Sequence, residues 1–249
     1  MSEAAPPLTP MLRKLEYWAF LNDEDRQALL ALPHTLKTIE PHHYIVREGD
    51  KPAHSCVMLS GLTYRHKVVK TGARQIFAIH MSGDIVDLQN SLLGIADHNV
   101  QALTKSKVAF IPREAVTQLA FERPAVGRAL WHDTLVDGSI FREWIANVGR
   151  RDARTRISHL LCEFALRLEA AGLGNHMEWE LPMTQEQLAD CTGLTSVHVN
   201  RMLQTLGKDG LISRTRRAVI VNDWKALADA GDFESTYLHL PEHKLAMVQ

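Results

Sequence analysis

The sequence predicts an α+β protein: an all-β sandwich or jelly roll near the front, one long helix, and a helix-turn-helix with a β-hairpin at the back. Three features carry that prediction. Glycines at 49, 61, 72 and 83 recur every eleven or twelve residues, the rhythm of short strands joined by turns. From Pro124 to Gly149 an apolar helical pattern runs without a break. The stretch MTQEQLADCTGLTSVHVNRMLQTLGKDGLI, Met183 to Ile212, holds two short helical patterns parted by a glycine.

The chain opens on a polar, proline-rich lead-in, MSEAAPPLTP, and a helical pattern, MLRKLEYWAFLNDEDRQALLAL. From about Leu36 to Pro112 the texture changes to short alternating stretches, SCVMLS, LTYRHKVV, RQIFAIHM and SKVAFIP, which fit strands. In the long helix, Trp131, Leu135, Gly138, Phe141, Ile145 and Val148 follow a near-heptad 4-3-3-4-3 spacing, and Val126, Leu130, Ile140 and Trp144 widen that stripe. A helix apolar on two adjacent faces is expected to bury one on its own β domain and the other on a second copy. Gly138 in mid-helix costs about 1 kcal/mol against alanine, which a close helix–helix approach would explain. RTRISHLLCEFALRL then sets Ile157, Leu160, Leu161, Phe164, Ala165 and Leu168 on one stripe.

In the two-helix stretch, Thr184 with Gln187 forms a capping box, Leu188 and Ala189 face inward, and Gly193 ends the first helix abruptly. Thr195 caps the second, where Val199, Met202, Leu203 and Leu206 recur at i, i+3, i+4, i+7. Ser196, Val197, Asn200, Arg201 and Gln204 project the other way. Arginine pairs bidentately with guanine, asparagine with adenine, and valine offers methyls to a thymine methyl. Val197, Asn200 and Arg201 are therefore the expected base-reading residues. Gln185, Ser196 and His198, with Arg214, Arg216 and Arg217 at the tip of the hairpin LISRTRRAVIV, are expected on phosphates, which position a protein without specifying sequence.

Composition bounds the rest. The 249 residues suit two domains, and a 45% hydrophobic, 23% charged chain is that of a globular protein. No apolar run approaches a membrane span, and the lead-in lacks a signal pattern. Cys56, Cys162 and Cys191 are distant and odd in number, which fits a reducing cytoplasm. The net charge of −1 is a poor match to a polyanion. Local clusters answer that difficulty, with Arg150, Arg151, Arg154 and Arg156 at one end of the small domain and the wing arginines at the other, although Arg150 and Arg151 taken singly are expected as ordinary solvated charges.

With these motifs in order, the C-terminal third, and more loosely the chain to about residue 225, resembles the cyclic-AMP receptor protein family, the Crp–Fnr superfamily of bacterial transcription regulators. The resemblance implies a cyclic-nucleotide-binding-like β-roll, a homodimer joined through paired long helices, and a winged helix-turn-helix that enters DNA. The expected boundaries are 1–123 for the N-terminal helices and β-roll, 124–149 for the dimerisation helix, 150–225 for the winged domain, and 226–249 for a tail of unassigned role. The partners implied are double-stranded DNA and a second copy, with RNA polymerase as a further candidate and no membrane. In the family, a glutamate at the position of Val197 and an arginine at that of Arg201 set the usual half-site. Arg201 is retained and Val197 departs, so a different half-site is expected.

The resemblance also implies where a cyclic nucleotide would sit, and the residues there do not match. Asp87 and Leu88 stand where a ribose-binding glutamate is expected; Ala96, Asp97 and His98 stand where a phosphate-binding Arg-Ser pair is expected. No lysine or arginine occurs between Arg74 and Lys105, and a phosphodiester buried without a cation is costly. Cyclic AMP is therefore not expected as the effector, and the sequence names no other. Three cysteines cannot supply four ligands to an iron–sulfur cluster. Among thirteen histidines, His42, His66 and His80 lie in or near β segments with no spacing that marks a haem pair. No cofactor, metal or catalytic residue is expected. The alternatives are a small-molecule- or haem-responsive β-roll binding protein, and a cupin-like metalloenzyme. The second is disfavoured because adjacent His42 and His43, if on a strand, point to opposite faces.

Overall fold

Two short helices, α1 (Thr9–Leu15) and α2 (Asp23–Leu30), open the chain, the second started by a capping box between Asn22 and Asp25. They are followed by β1 (Thr35–Ile39), β2 (Tyr44–Val46), β3 (His54–Ser60), β4 (Thr63–Val68), β5 (Arg74–His80), α3 (Asn90–Leu93), β6 (Asn99–Ala102), β7 (Ser106–Pro112), α4 (Arg113–Glu122) and α5 (Pro124–Arg150). This is a computed structural model, and it describes residues 5–215 and 218–241. The chain divides into one unit that runs to Val68 and resumes over Ala78–Asp137, and another made of Val69–Phe77 and everything from Gly138.

Two antiparallel sheets, ordered β1-β7-β3 and β2-β6-β4-β5, form the roll. Strand alternation explains why β3 and β7 are buried on both sides. Cys56, Met58 and Val108 face an inner core with Val46 and Val100, while Val57, Ala109 and Ile111 face a second core built by α1, α2, α4 and α5. The four strands read from the sequence fall on β3, β4, β5 and β7. Strand β1 went unread because it is exposed along most of its length, so no alternation marks it. Among the turn glycines, Gly61 has φ +81 and a Cβ there would lie 2.5 Å from the Lys105 carbonyl oxygen, so only glycine closes that turn.

The second unit continues with α6 (Ala153–Ala170), β8 (Glu178–Glu180), α7 (Gln185–Thr192), α8 (Ser196–Lys208), β9 (Ile212–Arg214), β10 (Ala218–Val221), α9 (Trp224–Ala230) and a 3-10 turn over Ser235–Leu238. Strand β10 lies between β8 and β9. The wing is thus a three-stranded sheet rather than a lone hairpin, with Trp179 of β8 opposite Val219. Of the residues beyond 225, unassigned from sequence, those described as far as 241 fold back here: Leu227 and Leu238 are buried. No described helix is long and apolar enough to cross a membrane.

Candidate nucleic-acid interface

The two-helix unit forms for the reasons its sequence gives. Thr184 Oγ1 accepts from the Gln187 amide at 3.1 Å, and the Thr184 amide donates to Gln187 Oε1 at 2.9 Å. Gly193 takes the left-handed conformation, φ +65, and ends α7. Thr195 accepts from the His198 amide and starts α8. Val199, Leu203 and Leu206 of α8 are buried, as are Leu188, Ala189 and Cys191 of α7, and the two helices pack on each other. The opposite side of α8 is open. Val197 is 78% exposed; Ser196, Arg201 and Gln204 are exposed, and His198 and Asn200 are half-buried.

One contact on that face was not legible in sequence. Gln185 Nε2 donates to Asn200 Oδ1 at 3.0 Å, joining a residue assigned to phosphates with one assigned to bases, and their separation of fifteen positions gave no signal. Arg214 is exposed at the end of β9; Arg216 and Arg217 lie outside the described residues.

The arginines around the start of α6 require a correction. Arg151 Nη1 binds Glu143 at 2.6 Å and its Nε and Nη2 bind Asp232 at 3.0 Å. Arg154 pairs with Asp209 at 2.7 Å. Arg156 donates to the carbonyl oxygens of Arg151 and Thr192, at 2.8 and 3.0 Å. Three of the four cations clustered at one end of the domain are therefore already paired within the protein, while Arg150 is exposed. Glu143 lies eight residues before Arg151 and the Arg151 carbonyl five before Arg156, but Thr192, Asp209 and Asp232 lie much further along, so the sequence cluster looks freer than it is.

The six residues assigned to dimerisation divide by depth. On α5, Trp131, Leu135 and Ile145 are 67%, 56% and 69% exposed, and Gly138, Phe141 and Val148 are half-buried. A Cβ at Gly138 would meet only the Arg142 guanidinium, at 3.6 Å. Within the chain nothing crowds that glycine.

Inside the roll, the segment without cations receives one from elsewhere. Arg65 on β4 is 2% exposed; its Nε donates to the Val86 carbonyl at 2.7 Å, and Nη1 pairs with Asp137 of α5. Asp87 is buried, accepting from the Cys56 amide at 2.7 Å, and burial pushes its carboxyl up to about 6. Burial, with Arg65 close by, pushes His80 down to about 4. Lys14 joins Asp84 and Asp133, 2.8 Å from each. Ala96 is buried, Leu88 packs on the helical core, and Asp97 pairs with His98 at 2.6 Å. Burial raises all three thiols above their ordinary range. His42 is not on a strand, as assumed for the pair with His43, but in a turn with φ +67. Among the described residues no three His, Cys, Asp or Glu side chains gather to hold a metal ion.

A capped two-helix unit with one face buried, the other polar and open, and a wing behind it defines a DNA-binding domain, here following a β-roll and a long helix. Comparison with known proteins places that architecture. Residues 155–230 match the Crp-like helix-turn-helix domain and residues 36–123 the cyclic nucleotide-binding domain. The chain is 28% identical to the transcriptional activator protein FnrL of Cereibacter sphaeroides over 215 residues, 84% of this chain and 86% of that one. It is also 28% identical to a probable transcriptional activator of Rhizobium leguminosarum over 199 residues, 78% of this chain and 80% of that one. The fold matches FixK2 from Bradyrhizobium japonicum with a TM-score of 0.73 at 23% identity, covering 80% and 98% of the two chains. The chain belongs to the Crp–Fnr superfamily and is a DNA-binding transcription regulator. Regulators of this family bind DNA and act as dimers.

Proposed function

We propose that two copies pair along α5 and set two α8 helices into successive major grooves of a pseudo-palindromic operator, without cyclic AMP, with RNA polymerase as the further partner through which the bound dimer acts. The open face of α8 carries this reading. Val197 stands 78% exposed on a helix whose opposite side is closed, and an isolated methyl pair between Ser196 and the Asn200–Arg201 step is suited to a thymine methyl beside hydrogen-bonded bases. Ser196, His198 and Arg214 flank that face and serve phosphates. Pairing along α5 gives the exposed Trp131, Leu135 and Ile145 a cover and gives Gly138 a reason. Half-sites about one helical turn apart follow from the twofold symmetry. Independence of cyclic AMP is supported by Arg65, a buried cation of the roll: its guanidinium is already taken by Asp137 and a carbonyl, so an incoming phosphate would have to displace a carboxylate.

The test is a gel-shift titration of Arg201→Ala on the selected operator and on single-base variants of it. The substitution costs about 1–3 kcal/mol and relaxes discrimination at one base pair per half-site. A loss spread evenly over all sequences would remove Arg201 from the bases.

A further inference from the structure

The segment after the wing is tied into the structure more thoroughly than a tail needs to be. Its contacts converge on one place, the joint at Arg151 and Asp152 between the end of α5 and the start of α6. Gly231 lies directly on α6: a Cβ there would be 2.8 Å from the His159 amide nitrogen and 3.0 Å from the Ser158 carbonyl carbon, so the backbones touch because the residue is glycine. His159 Nδ1 donates to the Gly231 carbonyl at 3.1 Å. The ring of His159 stacks on Tyr237, 5.8 Å between centroids and 16° between planes. Tyr237 donates its hydroxyl to Glu163 Oε2 at 2.8 Å. Glu163 is 2% exposed, and the same carboxylate takes the Trp144 indole N–H of α5 at 2.9 and 3.0 Å. Asp232 holds Arg151, which also grips Glu143 of α5.

We propose that residues 231–238 are a strap that fixes the angle between α5 and α6, with Asp232 and Tyr237 as positioning residues for DNA binding. The segment bonds to α6 and to the joint, and the groups it holds there, Glu163 and Arg151, bind Trp144 and Glu143 of α5, so bending at Arg151–Asp152 would break at least one of these sets. Resting on the dimer reading above, this has a geometric consequence. The α5 helices set the twofold axis, α6 carries α7 and α8, and the angle at the joint therefore sets the distance between the two recognition helices. A fixed joint accepts one half-site spacing; a loosened one accepts several.

The experiment uses the full chain and inverted repeats that share the half-sites selected by the unaltered protein, with the spacer lengthened or shortened by one or two base pairs. Asp232→Asn removes the charge yet keeps a side chain that tolerates φ +45 at this position, and Tyr237→Phe keeps the stacked ring while removing the hydroxyl. The unaltered protein should favour its best spacer by about tenfold or more. The double variant should bring that preference below about threefold, with base preferences inside each half-site unchanged and a cooperative melt retained. Spacer discrimination unchanged in the double variant overturns the strap alone. If the double variant does not fold, Asp232→Asn alone decides, because that carboxylate is exposed, and it should lower the preference in the same direction; an unchanged preference overturns the strap. Failure of the unaltered protein to bind any inverted repeat overturns the dimer reading and the strap with it.

Discussion

Arg65, in the roll, and Arg201, on α8, put the same guanidinium to two ends. Arg65 is nearly sealed from solvent and satisfied by a carbonyl and by Asp137; Arg201 stands exposed on α8. A buried guanidinium without partners would be ruinous, so the fold dedicates a carboxylate to it. An exposed one costs nothing to leave available. The residues that hold this regulator together and those proposed to read DNA can thus be separated by what already occupies their donors.

The largest expected effect tests the inner half of that contrast. Arg65→Met leaves the Val86 carbonyl without its donor and Asp137 without its cation. Breaking a buried pair costs about 3–5 kcal/mol; the lower end applies because a quarter of the Asp137 side chain, 27%, meets solvent. Urea unfolding should show the loss, and the half-site preference of folded protein should not change. A loss under about 1 kcal/mol would mean that the roll does not depend on this pair.

The next effect comes from two buried groups of opposite sense. His80 is held near 4 against an ordinary 6.5. As pH falls through 6.5 the unfolded chain takes up a proton that the folded chain refuses until about 4, so stability present above 6.5 is lost on the way down. Asp87 is held near 6 against 3.8. There the folded chain protonates first, and stability present below 3.8 is lost as pH rises through 6. Between pH 4 and 6 the two slopes oppose each other. His80→Gln removes one of them. The difference in unfolding free energy between the two proteins should then change by up to roughly 1.4 kcal/mol per pH unit across this window. Parallel curves would show that His80 is not refused its proton.

Much of this architecture was readable because the signals are local. Caps, a turn glycine and a 3.6-residue stripe lie within one element, and they placed α7, α8 and the open face with Val197, Asn200 and Arg201. The long helix was readable for the same reason. What escaped were pairings across distance. Arg65 lies outside the window searched for a phosphate-binding cation, yet β4 carries it beside Val86. Arg151, taken singly, reads in the sequence as a free, solvated charge, because Asp232, its partner, is eighty-one residues away. Residues 231–238 have no periodicity to read, since their order comes from single contacts at Gly231, Asp232 and Tyr237. Local pattern shows which face a residue takes; only the fold shows whether its charge is already answered.

The smallest expected effect is the sharpest test of that rule. Arg154 pairs with Asp209 at 2.7 Å, with 42% and 43% of the two side chains exposed. Water competes for both groups, and salt screens them, so the pair stabilises by at most about 1 kcal/mol. Arg154→Ala should therefore barely move the urea midpoint, unlike Arg65→Met. Its influence on DNA should also be small, because the guanidinium is held by a carboxylate before DNA arrives. A clear weakening of binding to all sequences, with a shallower dependence on salt, would show that Arg154 leaves Asp209 for a phosphate. An arginine paired at the surface would then belong with Arg201 rather than Arg65, and the dividing line between structural and reading arginines would be burial instead of pairing.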